Sequence, residues 1–585
     1  MTLPSPSLFL RLLFIFGIFS ILIFFPGMYD LYQLPKALGI VLTVYLSLGA
    51  LFLYRGPFKI TAPVIFLSLY YIFISSRLLW SQAHPAFFYG LIFFTPLFFF
   101  SGFYAHLSRQ KLLFFLNIIF TLALGYGIFQ FSFSGINRPY SFFGNPIFFG
   151  EFIAALLPFI IYSAISGKAG GGLAVFNLAL AIPVIIICSS RGVVLSLGIA
   201  LVLLAYYFYR AGVRPIFTNK IKVFLVLAVC FPFLIPGFFG AFSTGVQRTS
   251  HLFSSTAPEI SNRLLLTGSA ADIFFTSPII GAGAGAIKQF QQEKGGKLLA
   301  LKNSNDFVVS SFAHNDYMQL LAETGTLGLL LYIAFIFSLA LAFEKASAYM
   351  KDSDLLFSSA IFCSLVFFFC ESFFNFPLFS MPSASLLFAL AGLLVAQTAR
   401  ATNTGFELAP LPRYALLLLL LLPLVLYFSF SKPKALVSNF YLKAAVQNSS
   451  GGFTFFEKAL SLEQDNFSTL THYAQGLSLS DKSAQAITTY ENTLKYFPNS
   501  ADVLYNIGAL YLFQNNAKAA VSYFNRALIL YPGFVSAQLG LYKSKMRLGL
   551  RPEALPHLEA ALRIDANAVQ KDRASTLVHF WEVTP

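Results

Sequence analysis

Residues 192–209 read GVVLSLGIALVLLAYYFY, a run in which no side chain carries a charge. A helix of about this length crosses a hydrocarbon core of roughly 30 Å. Comparable runs recur on both sides of it, at 9–26, 34–54, 60–76, 85–104, 111–131, 146–165, 172–189, 221–240, 325–343, 356–375, 383–398 and 413–430. Composition agrees: 57% of the 585 residues are hydrophobic, 71 are Phe, only 11% are charged, and no water-soluble domain of this size has that make-up. The sequence predicts an all-α fold, a polytopic transmembrane helical bundle of about 12–13 spans. The first run lacks a small-residue cleavage site after Phe25-Pro26-Gly27, so it reads as a retained helix.

Loop charge gives the orientation. With the N-terminus inside, inner loops receive Arg55, Lys59, Arg109, Lys111, Lys168, Arg210, Arg214, Lys220, Lys222, Lys345, Lys351, Arg400 and Arg413, while short outer loops receive Lys36, Arg77, Arg138 and Arg191. The long loop at about 241–324 and the tail after Phe430 then face outward. The net charge of +15 is largely this topological signal and calls for no nucleic-acid partner. Cys188, Cys230, Cys363 and Cys370 all fall in apolar runs, which leaves neither a disulfide framework nor a zinc site outside the membrane.

Beyond the last run the composition turns to Ala, Leu, Tyr, Asn and Lys, and a period appears. Pro498 and Pro532 stand 34 residues apart. Between them Leu504, Ile507, Gly508, Tyr511, Ala520, Phe524 and Ala527 have the spacing of a tetratricopeptide repeat. Leu470, Tyr473, Ala474, Leu477, Ala486 and Tyr490 form a preceding unit, and Leu541, Ala554, Leu558 and Ala561 a following one. The division expected is a membrane domain at 1–432, with its outer loop at 241–324, and a soluble α-solenoid at 433–585. Such arrays either bind a protein partner on a concave face or serve as folded spacers.

The 241–324 loop carries Ser261-Asn262-Arg263, then Ser277-Pro278-Ile279-Ile280-Gly281-Ala282-Gly283, then Ala313-His314-Asn315-Asp316-Tyr317-Met318-Gln319, running on through Glu323, Gly325 and Gly328. In the order and spacing of these segments the chain resembles the O-antigen ligase and polymerase family of membrane glycosyltransferases. Asn137-Arg138-Pro139-Tyr140 through Pro146, and Ser189-Ser190-Arg191-Gly192, are similar to further family segments. The resemblance covers about residues 120–400. It implies a metal-independent enzyme without cofactor in a bacterial inner membrane, with the repeats in the periplasm. Its donor would be a lipid-linked oligosaccharide on undecaprenyl pyrophosphate, and its acceptor a lipid or glycan among the membrane lipids.

Loop charge places Arg138, Arg191, Arg263 and His314 at one membrane boundary without help from the resemblance. Guanidinium groups bind phosphate oxygens bidentately and never lose charge, which suits a pyrophosphate leaving group. Arg191, Arg263 and His314 are the catalytic candidates; Arg138, Asn315, Tyr317, Gln319 and Glu371 are the substrate-binding ones. Asn375 stands beside Glu371 as a second polar group near the outer end of an apolar run. His314 is either a general base on the acceptor hydroxyl or a cation on phosphate. For Arg138 membrane-interface snorkelling is the simplest account.

Two other signals are weak. Gly281-x-Gly-x-Gly lacks the strand of a nucleotide loop, and Asp352-Ser353-Asp354 lies in an inner loop beside Lys351. Ligation onto an acceptor, polymerisation of the same glycan and metal-independent protein glycosylation all remain open, whereas a transporter would line its span interiors with polar groups. A reporter active only in the cytoplasm, fused after Pro585, is expected to be silent; strong activity would reverse the topology.

Overall fold

The computed structural model describes residues 59–76, 109–134, 136–166, 171–188, 191–213, 226, 230, 237–250, 258–283, 285–287, 290, 294, 312–407, 432–447, 452–567 and 569. The spans expected at 9–26, 34–54, 85–104 and 413–430, and most of 221–240, lie outside the described residues. Among the described residues seven helices are long and apolar enough to cross a membrane, and the protein is a multi-pass membrane protein.

In chain order the membrane part contains α1 (Ala62–Ser76), α2 (Arg109–Ser134), α3 (Pro146–Ser166), α4 (Gly171–Cys188) and α5 (Arg191–Arg210). It continues with α6 (Phe238–Ser250), α7 (Pro258–Phe274), α8 (Asp316–Ser347), α9 (Asp352–Glu371) and α10 (Met381–Thr402). α9 packs on α3, α5 and α10, α8 packs on α1, α7 and α10, and α3 is covered along nearly its whole length. Among the described residues the one departure from an all-α fold is a two-residue antiparallel bridge, Lys59 with Glu407 and Ile60 with Phe406.

Helix direction sorts the charges into two ends. At one, Arg109 donates to the Ser353 carbonyl at 2.7 Å and pairs with Asp354, and Arg210 pairs with Glu344 at 2.8 Å. The Asp-Ser-Asp segment therefore serves an ion pair. At the other end lie the start of α5, the start of α8 and the end of α9.

The outer loop is more helical than its length in sequence suggests. It contains α7, and α8 begins at Asp316 rather than near 325, with a kink where Gly325 adopts φ 69°, ψ −173°. The kink receives the Pro278–Gly283 turn. Ala282 and Gly283 donate N–H to the carbonyls of Ala322 and Glu323 at 2.9 and 3.1 Å, and Thr326 and Leu327 donate back to Pro278 and Ile279 at 2.8 and 3.1 Å. Backbones this close exclude any Cβ: one on Gly281 would sit 2.4 Å from the Glu323 carbonyl oxygen, and one on Gly325 2.4 Å from the Gly281 nitrogen. Thus Gly281-x-Gly and Glu-x-Gly are two halves of one joint, and the nucleotide-loop alternative has no place.

The tail folds as helix pairs: α11 (Lys432–Gln447) with α12 (Gly452–Leu462), α13 (Phe467–Leu479) with α14 (Ser483–Tyr496), α15 (Ala501–Phe513) with α16 (Ala517–Leu530), and α17 (Val535–Arg547) with α18 (Arg551–Ile564). Ala474, Ala486, Ala520, Ala527, Ala554 and Ala561 are fully buried. Gly508 and Gly540 both lie against the Phe524 ring, where a Cβ would come within 2.8 and 2.5 Å. Small residues let paired helices approach, as the period predicted. Leu265 of α7, 3% exposed, is buried in the cluster formed by Leu504, Phe524, Phe534 and Leu541 of the repeats.

Gly325→Ala is expected to destabilise the protein by on the order of 3 kcal/mol, since it combines a disfavoured φ with a backbone clash. Gly198→Ala in α5, where a Cβ meets nothing within 4 Å, is the control and should be neutral. Thermal unfolding in detergent compares the two.

Candidate active site

The site is built around the segment from Glu371 to Ser380, which joins α9 to α10. Three fully buried carboxyl groups hold that segment. Glu151, in the second turn of α3, accepts from Asn375 Nδ2 and from Ser383 Oγ, each at 2.7 Å. Asp316, first residue of α8, accepts from Ser372 Oγ at 2.8 Å and from the Leu378 N–H at 3.0 Å. Glu371 accepts from Ser196 Oγ of α5 at 3.1 Å. A buried polar group without a partner is costly, more so in a membrane, so each contact fixes one helix relative to the next.

Onto this frame the structure brings three of the candidates. Arg263 of α7 donates from Nη1 to the Phe374 carbonyl at 2.7 Å, and its charge acts on both Glu371 and His314. Arg191 opens α5, directly before Gly192; a Cβ on Gly192 would sit 2.5 Å from Phe374 Cβ and 3.2 Å from Glu371 Oε2, so α5 starts against the same segment. His314 precedes α8, its ring edge-on to Phe376 with centroids 4.8 Å apart, and its backbone has φ 52°. A non-glycine residue held there is unusual, and such outliers gather at functional sites.

His314 is also electrically unusual. Burial, and after it the charge of Arg263, push its pKa down to about 4. At neutral pH the imidazole is therefore uncharged, which differs from the ordinary value near 6.5 used in the sequence reading.

The remaining candidates have structural contacts. Arg138 donates to the Cys188 carbonyl at 2.8 Å, at the C-terminal end of α4. Asn315 caps α8 by accepting from the Met318 N–H at 3.0 Å. Tyr317 donates to the Phe369 carbonyl at 2.8 Å. Gln319 accepts from the Ala313 N–H at 3.1 Å and donates to Glu323 at 3.3 Å. These residues hold the loop that carries His314. Sequence reading missed Glu151, although a lone acid inside an uninterrupted apolar run is itself a signal; it also missed Ser196 and Ser383.

Buried carboxyl groups, two arginines and a buried histidine thus lie at one end of a helical membrane bundle that carries a helical repeat tail. Residues 176–333 match the O-antigen ligase family and residues 478–533 the tetratricopeptide repeat, so the chain carries an O-antigen ligase domain followed by tetratricopeptide repeats. That domain gives the protein a glycosyltransferase-type, glycan-transferring role in polysaccharide biosynthesis at a membrane. No curated protein matches the chain. Among solved structures, a crystal structure of MamA is 17% identical over 23% of this chain and 81% of its own, with a TM-score of 0.22. A second, of MamA AMB-1, is 22% identical over 27% of this chain and 92% of its own, with a TM-score of 0.21. Likeness at that level says nothing of partners.

In the free protein the His314 imidazole is expected to titrate with a midpoint of about 4, followed by its ring 15N shifts. Arg263→Ala removes a nearby cation that disfavours the protonated ring. The midpoint should rise, yet stay below 6.5 because burial remains.

Proposed function

We propose that the protein transfers a glycan from an undecaprenyl-pyrophosphate-linked donor to a hydroxyl acceptor on the periplasmic face of the inner membrane, as an O-antigen ligase does. The observation that carries this reading is the neutral His314 beside Arg263, at the same end of the bundle as Arg191. The two guanidinium groups hold the pyrophosphate oxygens. The uncharged imidazole takes the proton from the acceptor hydroxyl as its oxygen attacks the anomeric carbon. The bond from that carbon to the pyrophosphate oxygen breaks, and its electron pair leaves with the lipid pyrophosphate. Of the two roles open to His314, base and phosphate-holding cation, an imidazole that is neutral at pH 7 supports the base.

The arginines supply fixed positive charge where negative charge develops, so the reaction on this reading needs no divalent metal. Residues 1–432 form the membrane glycosyltransferase and 433–585 a periplasmic repeat domain. The burial of Leu265, two residues from Arg263, among repeat side chains supports a repeat domain on the same side as the site. Glu371 stays at the heart of the site, while Arg138, Asn315, Tyr317 and Gln319 support the residues around it. The repeats offer a face for a protein partner.

Arg191→Ala, Arg263→Ala and His314→Ala are each expected to abolish transfer from a lipid-linked glycan by a folded protein. The arginine variants should also bind donor more weakly, since a lost charge-assisted contact is worth about 1.5–3 kcal/mol, and Lys should rescue them only in part. His314→Ala should keep donor binding and lose turnover. Loss of donor binding in His314→Ala would make His314 a phosphate-holding cation instead.

A further inference from the structure

Asn375 faces two partners with its two ends. Its Nδ2 donates to Glu151 Oε1 at 2.7 Å, while its Oδ1 is buried and accepts no hydrogen bond. Beside it stands His314, whose Nδ1 is buried and closes no hydrogen bond of good geometry, although Asn375 lies near enough to act on the ring. Glu151 Oε2 is taken by Ser383, so the carboxyl group cannot turn away from Asn375. Both oxygens of Glu151 accept in this arrangement, one from Asn375 and one from Ser383, so it is the donor end of the amide that faces it. The amide nitrogen must point to Glu151, and the amide oxygen is thereby presented on the other side. Two orphaned buried atoms of complementary type on neighbouring residues require an explanation, and a shared proton between them satisfies both.

We infer that Glu151, acting through Asn375, is a positioning residue for His314: the oriented Asn375 oxygen accepts from Nδ1–H and thereby fixes the proton on Nδ1, leaving Nε2 as the nitrogen that takes the acceptor's proton. This rests on the glycan-transfer reading for its use in catalysis, but not for the tautomer itself. A neutral imidazole in water favours the proton on Nε2, and that tautomer would present Nε2–H, which cannot act as a base, to the acceptor. The Glu–Asn–His chain selects the less favoured form. The edge-on contact of the ring with Phe376, centroids 4.8 Å apart, limits its freedom to turn away from Asn375. The chain also explains why an acid with no exposed surface sits in α3, 224 residues from the Asn375 that it orients.

The test uses the full chain with 15N-labelled histidine in lipid nanodiscs at pH 7, His314 being assigned among the seven histidines by its loss in His314→Gln. The wild type is expected to show a single neutral tautomer protonated on Nδ1. Glu151→Leu and Asn375→Leu should each move it toward the Nε2–H form; these are apolar replacements in an apolar bundle, and either one alone carries the test if the other fails to fold. With undecaprenyl-pyrophosphate-linked glycan as donor, both variants should lose on the order of 100-fold in kcat with donor KM unchanged, and the double variant should be no worse than either. A wild-type proton on Nε2, or a tautomer that neither replacement moves, overturns the inference. Correct tautomers in a chain that transfers no glycan would instead overturn the glycan-transfer reading and leave the positioning of His314 standing.

Discussion

Inside a bilayer no water is available to complete a hydrogen bond, and this one constraint organises the active end of the bundle. Glu151, Asp316 and Glu371 sit on three different helices with no exposed surface. Each takes its donors from another element: Asn375 and Ser383, Ser372 and the Leu378 N–H, and Ser196. Two of the three sets of donors include the short segment between α9 and α10. Arg263 adds a fourth attachment at the Phe374 carbonyl. The segment is therefore held from α3, α5, α7 and α8 at once, and a fault in any attachment would leave a polar group stranded in an apolar medium. Rigidity around His314 follows from the polar contacts rather than from packing alone.

How much of this was legible in the sequence depends on which physical signal each feature emits. Helices such as α5 declare themselves because a bilayer demands length and apolarity, both visible in one window. The tetratricopeptide pairs declare themselves through period, since Gly508 and Ala520 recur where helices must touch. The basic groups declare themselves through their loops. Hidden were features set by contacts between distant segments. That α8 starts at Asp316, with a kink at Gly325, depends on the Pro278–Gly283 turn docking into it. That Asn315, Tyr317 and Gln319 also hold the fold together depends on Met318, Phe369 and Ala313. Glu151 was readable as an anomaly and Asn375 as a polar group near the end of an apolar run, but their pairing was not, because nothing in a one-dimensional string joins them.

The repeat tail and the site are not wholly separate. α7 displays Leu266, Ala270 and Ile273 among the buried residues of the membrane domain, and Leu265 among those of the repeats. The helix that carries Arg263 therefore has one side on each. Any partner that shifts α15 or α17 would act on α7 through Leu265, and α7 in turn sets where Arg263 meets the Phe374 carbonyl. Through Leu265 the repeats touch the helix that carries Arg263, although none of their described residues enters the cluster around His314.

The same contact between Arg263 and the segment beside His314 bears on the division of charge at the site. A base must be unprotonated before it acts, and a leaving pyrophosphate must meet positive charge. Arg263 serves both needs, because the guanidinium that disfavours protonation of the imidazole is a group that can hold phosphate. On the glycan-transfer reading, a bound pyrophosphate would offset that positive charge, and the imidazole would become a stronger base once the donor is in place. A pKa of about 4 in the free protein is low for a general base at neutral pH, whereas a value raised by the bound donor moves toward the range where proton transfer is most effective. On that reading the free site would keep its base neutral and weak, and would strengthen it when the donor is present to be attacked.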